Sequence, residues 1–98
     1  MYVIREVMQC KPGKVRDMVQ RFKSLNAIAP RLGLKPSRIL TDVSGEQFWT
    51  LVSEFEVESL DKAMAMQSSP LMKELEPIMK DYHDLVDHGR REIYKVEG

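Results

Sequence analysis

Ninety-eight residues, 43% hydrophobic and 31% charged, describe one globular domain near the lower size limit for a self-sufficient core. Fifteen Lys/Arg balance fifteen Asp/Glu, so no net field draws the chain to nucleic acid or to an anionic membrane surface. The balance is uneven: residues 1–46 hold nine basic and four acidic side chains, residues 47–98 six and eleven, giving +5 and −5 and favouring contact between the halves.

Tyr2 to Cys10 reads as a first strand that is partly apolar on both faces, with Tyr2, Ile4, Met8 and Cys10 on one and Val3 and Val7 on the other. Cys10 is the sole cysteine, which excludes an internal disulfide and suits a reducing compartment. No signal-type leader precedes this strand and no apolar run approaches membrane-spanning length, so a cytoplasmic protein is expected. Lys11-Pro12-Gly13-Lys14 breaks the strand and opens a helix, along which Val15, Met18, Phe22, Leu25, Ala29 and Leu32 recur at helical spacing. Val19 widens that stripe, Lys14, Arg16, Arg21 and Lys23 form a solvated face, and Pro30 and Gly33 end the helix.

Ser37 to Asp42 is a short second strand, Val43 to Glu46 a turn, and Gln47 to Val57 a third strand forming a hairpin with the second. This third strand is apolar on both faces: Trp49, Leu51, Phe55 and Val57 against Phe48, Thr50 and Val52. Ser59 caps a short helix through Gln67, and Ser69-Pro70 starts a longer one carrying Leu71, Leu75, Ile78, Tyr82 and Leu85, with a kink or break at Pro77. His88-Gly89 ends it, and Arg91 to Val96 is a fourth strand.

The order is β-α-β-β-α-β. Right-handed crossovers put both helical connections on one side of a four-stranded antiparallel sheet. The other face then carries Val3, Val7, Phe48 and Val52, with Tyr94 or Ile93, and with Arg5 and Glu54 either as a register-fixing pair or at its solvated rim. An apolar face of this kind marks an association site. We therefore expect a homodimer in which two sheets meet face to face.

Candidate chemistry centres on Glu6, which shares the helix-side face with Ile4, Met8 and Cys10. A carboxylate in apolar surroundings can serve as general base or acid; the structural alternative is an ion pair with Arg91 or Lys95. Trp49 either fills the core or forms a pocket wall, and Asn26 is either a helix-edge residue or a polar group in the same pocket. His83 and Asp87 lie one helical turn apart, but two ligands do not make a metal site; His83 beside Met79 and Tyr82 remains a candidate for pocket chemistry. Met8, Met18, Met64, Met72 and Met79 are core residues or the lining of an adaptable apolar cavity.

The first strand ending in Lys11-Pro12-Gly13-Lys14, the run Phe55 to Leu60, the break Ser68-Ser69-Pro70 and the strand Glu92-Ile93-Tyr94 together resemble the dimeric α+β barrel group. That ferredoxin-like group includes the antibiotic-biosynthesis monooxygenase, EthD and NIPSNAP-type families. The resemblance implies a ligand pocket between helices and sheet in each subunit. Its haem-degrading branch uses an Asn, a Trp and a His at places that fall near Glu6, Ala65 and Leu75 here; none matches. Two functions are left open. One is a cofactor-independent monooxygenase-like or isomerising enzyme acting on a small apolar substrate, with Glu6 and His83 catalytic and Met8, Asn26, Trp49, Met64 and Met79 holding the ligand. The other is a non-catalytic dimer that binds a ligand or a protein. Neither reading calls for a cofactor or a metal.

Overall fold

A computed structural model describes residues 1–98, apart from the side chains of Leu32, Gln67 and Leu71; the helical-stripe assignments of Leu32 and Leu71 therefore lie outside the described residues. The chain runs β1 (Tyr2–Cys10), α1 (Val15–Ile28), β2 (Arg38–Thr41), β3 (Thr50–Val57), α2 (Leu60–Gln67) and β4 (Val86–Lys95). Short 3-10 helices occupy Ala29–Leu32, Pro70–Leu75 and Tyr82–Asp84. The strands form one antiparallel sheet in the order β2-β3-β1-β4. This is the expected ferredoxin-like α+β topology.

Period-two alternation fixes the faces. Ile4, Glu6, Met8 and Cys10 lie on one side of β1, level with Phe55, Ser53 and Leu51 of β3. Met18, Val19 and Phe22 of α1 close over that side and form a buried cluster with Cys10, Leu51 and Leu85. Met79 and Tyr82 pack against the same cluster, so the second connection lies beside α1. An Arg21 Nη1 hydrogen bond to the Ile78 carbonyl at 3.0 Å ties the two together. No helix is long and apolar enough to cross a membrane among the described residues.

Local chemistry accounts for the element ends. Gly33 adopts left-handed backbone (φ 75°) and its N–H turns back onto Ala29 and Pro30, closing α1 and its 3-10 extension. The Ser59 hydroxyl accepts from the Lys62 N–H at 3.3 Å and caps α2.

Several expectations change. The strand expected from Gln47 begins at Thr50, because the Asp42 carboxylate accepts the Thr50 N–H at 2.7 Å and closes the hairpin there. Phe48 and Trp49 are thereby expelled into the β2–β3 loop. Phe48 does not stand on the sheet face, and Trp49, 43% exposed, does not fill the core. The α-helix expected beyond Pro70 is absent. Pro77 has no N–H and obstructs the preceding turn, and the chain proceeds by three-residue turns such as Ile78 N–H to Leu75 O (3.1 Å) and Tyr82 N–H to Met79 O (3.2 Å).

The fourth strand starts at Val86, ahead of the expected Arg91. His88-Gly89 is not a helix stop: Gly89 pairs with Met8, and a β-carbon there would sit 3.2 Å from the Val7 carbonyl oxygen. Glycine permits that approach. Ile93 lies opposite Ile4 on the helix side and Tyr94 opposite Val3 on the open side, which settles their alternative placement.

Candidate functional site

The open face of the sheet is crossed by a ladder of charges. Arg5 on β1 stands opposite Glu54 of β3 and Glu92 of β4, with Nε to Oε2 at 3.3 Å and Nη1 to Oε1 at 3.7 Å. Arg38 of β2 pairs with the far side of Glu54, and Arg90 with Glu92 at 2.8 Å. The Tyr94 hydroxyl donates to Glu92 at 3.3 Å. The bond from Arg90 is the main cause holding the Glu92 carboxyl below its ordinary range. The geometry at Arg5 Nε does not make a hydrogen bond, and that buried atom has no hydrogen-bond partner among the described residues.

Around this ladder lie apolar side chains without cover. Val7 at the sheet centre is shielded to 9% exposure by its neighbours, while Leu40 and Tyr94 are 37% and 52% exposed. Val3 and Val52 are half-buried. The whole chain exposes 6859 Å², against about 5,800 Å² for a compact monomer of its size.

On the helix side, an open hollow of about 600 Å³ lies between α1 and the β2–β3 loop. Val15, Val19 and Ile39 form its apolar surface, and Phe48 and Trp49 stand at its mouth with Arg16 and Lys23. Trp49 holds left-handed backbone (φ 62°), a conformation that disfavours a bulky residue by roughly 1–2 kcal/mol. Its carbonyl accepts the Cys10 N–H at 2.8 Å, and Gln9 binds the Phe48 carbonyl, so the loop is moored to the end of β1.

Glu6 is elsewhere. Its carboxylate meets Arg91 Nε at 2.6 Å, with the two side chains 32% and 40% exposed. Four residues of strand, roughly 13 Å, separate Glu6 from Cys10, where the loop of Trp49 is attached. The two do not share a pocket wall. Met8 and Met79 pack against the core cluster, and Met64 on α2 is 41% exposed. Asn26 clamps the end of α1 to the start of β2, its Nδ2 donating to the Ser37 carbonyl at 2.8 Å and its Oδ1 accepting the Ser37 N–H at 2.9 Å.

His83 is exposed, its ring 4.0 Å from that of Tyr82. Asp87 lies on β4, so the helical spacing that paired it with His83 does not exist. Among the described residues no three His, Cys, Asp or Glu side chains gather to hold a metal ion. Of the residues named for a single pocket, Trp49 alone lines the hollow beside α1.

Sequence reading missed Arg38, Arg90 and Glu92 as members of the ladder, and Arg16 and Lys23 as groups beside a hollow. Arg16 and Lys23 did carry a signal, since seven residues put them on one helix face two turns apart.

A β-α-β-β-α-β chain with an antiparallel sheet, helices on one side and a half-apolar face on the other defines a ferredoxin-like α+β protein. Solved structures of that class superpose along nearly the whole chain. A NIPSNAP family protein from Agrobacterium tumefaciens matches at TM-score 0.73 with 13% identity, over 96% of this chain and 90% of its own. An uncharacterised NIPSNAP domain protein from Burkholderia xenovorans matches at TM-score 0.72 with 14% identity, over 99% and 95%. A Nitrosomonas europaea protein, provisionally described as an antibiotic biosynthesis monooxygenase, matches at TM-score 0.67 with 16% identity, over 98% of each chain. At these identities the likeness is one of fold. No family model and no curated protein matches the sequence.

Proposed function

We propose that this chain works as a cytoplasmic homodimeric binding protein. Its two sheets meet through their open faces, and each subunit holds a small, largely apolar ligand between α1 and the sheet. The observation that carries the dimer is the open sheet face around Val7, where Leu40 and Tyr94 stand 37% and 52% exposed. Completing the burial of Val3, Leu40, Val52 and Tyr94 gains a part of the roughly 1.5–3 kcal/mol that full burial gives each such side chain, and the ladder centred on Arg5 supplies complementary charge that fixes register. A second copy fits a surface that has both signs of charge in one row. Neither nucleic acid nor an anionic membrane suits it.

Catalysis of the monooxygenase-like or isomerising kind has less support. A base must be free to take a proton, and the Glu6 carboxylate is engaged by Arg91. Sedimentation velocity at micromolar concentration tests the assembly: a species of twice the chain mass is expected, and a lone subunit would remove the dimer.

A further inference from the structure

We infer that the hollow beside α1 binds a small aromatic carboxylate, the ring lying on Val15, Val19 and Ile39 against Phe48 and Trp49, the anion held by Arg16 and Lys23. This deepens the ligand-binding half of the reading above and rests on it, but not on the dimer.

The aromatic preference follows from the walls. Phe48 and Trp49 are adjacent in sequence and are 81% and 43% exposed beside an apolar floor. Flat rings presented at the mouth of an apolar groove favour a flat partner, which gains stacking as well as burial. The loop that presents them is fixed at both ends, by the Thr50 N–H on Asp42 and the Cys10 N–H on the Trp49 carbonyl. The backbone that presents the two rings is thus set in advance, which limits the ordering that opposes binding.

The charge preference follows from the helix. Arg16 and Lys23 flank Val19 on the face of α1 that lines the groove. Asp42 is the acidic side chain of the lining, and its Oδ1 is occupied by the Thr50 N–H. Two cations against one engaged carboxylate leave the groove positive. A guanidinium offers a carboxylate two parallel N–H donors, and a lysine at the other end adds a point charge. Arg21, on the same helix, instead binds the Ile78 and Lys80 carbonyls and takes no part.

The test is a two-dimensional amide NMR titration with 2-naphthoate and its neutral counterpart 2-naphthalenemethanol. Naphthoate is expected to shift the Trp49 indole N–H and the Gly13 and Thr41 amides, and the alcohol to bind about tenfold more weakly or less well still. Arg16→Gln and Lys23→Gln are each expected to weaken naphthoate about three- to tenfold with the alcohol unchanged; Phe48→Ala weakens both. Equal binding of acid and alcohol, shifts confined to Arg5, Val7 and Arg90 on the open face, or no shift at all would overturn the inference. Sedimentation of the same samples separates the two readings. A dimer that ignores naphthoate removes the groove; a monomer that binds it there removes only the dimer.

Discussion

Arg5 and Glu54 face each other across β1 and β3 at 3.3 Å, on the sheet face opposite the one that α1 covers. Glu54 also serves Arg38 from the other side. Glu54→Gln therefore leaves two guanidinium groups without their shared anion while changing almost no volume. In the proposed dimer, where the pair is shielded from water, the dissociation constant is expected to rise at least tenfold, about 1.4 kcal/mol. Sedimentation equilibrium measures this, and circular dichroism should show the subunit fold retained. An unchanged constant would place the interface elsewhere.

Glu92 gives the ladder an acid limit. Its carboxyl is held low, first by the hydrogen bond from Arg90. A carboxyl lowered by folding contributes stability above the ordinary carboxylate range, and that contribution disappears as pH falls through the lowered value. The contribution of Glu92 should hold urea midpoints level with pH from neutrality to about pH 5 and let them decline below about pH 4. Glu92→Gln should flatten part of that decline and leave the neutral limb unaltered in slope.

Glu6→Gln separates structure from chemistry. The Glu6–Arg91 pair is partly exposed, and pairs of that kind contribute roughly 0.2–1 kcal/mol. Thermal unfolding should move down by about 1–8 °C (about 4–8 °C per kcal/mol for a domain of this size), with naphthoate binding unchanged. Loss of ligand binding or turnover at unchanged stability would restore Glu6 as a functional carboxylate.

Cys10 is 1% exposed, and burial is the first cause raising its thiol above the ordinary range, with Asp42 and Asp87 adding to it. Folding therefore favours the protonated thiol: its contribution is complete below the unfolded thiol's range, about pH 8.5, and is lost as pH rises through the raised value. A thiol-specific reagent at pH 8 should label the native protein slowly and the urea-unfolded protein at once. Rapid native labelling would contradict the burial.

The fold was readable where one local rule governed. Alternation along β1 assigns Val3, Arg5 and Val7 to one face and Ile4, Glu6 and Met8 to the other without knowledge of the partners, and Ser59 is a helix cap by its own chemistry. Reading failed where distant groups decide. Gln47 to Trp49 has strand-type composition, and only the Asp42 carboxylate, reaching across the hairpin, stops pairing at Thr50. Gly89 resembles a helix stop until the Val7 carbonyl is placed beneath it.

The groove was the least readable element. Its surfaces come from the start of α1, from β2 and from the loop before β3, three stretches that nothing in their order announces as neighbours. The ladder was half readable: Arg5 and Glu54 share a parity, but the register that brings Arg38 and Glu92 alongside them is set by turns and a bulge near Cys10.

The placement of Trp49 gives the molecule a built-in optical probe. It is the only tryptophan in the chain, and its ring is poised between solvent and an apolar hollow. Ultraviolet emission from the unliganded protein should carry the long-wavelength colour of a wetted indole and move toward the blue when the hollow is filled by a molecule that does not itself absorb there. A small aliphatic acid could thus be followed by light alone, without a label and without altering a single residue.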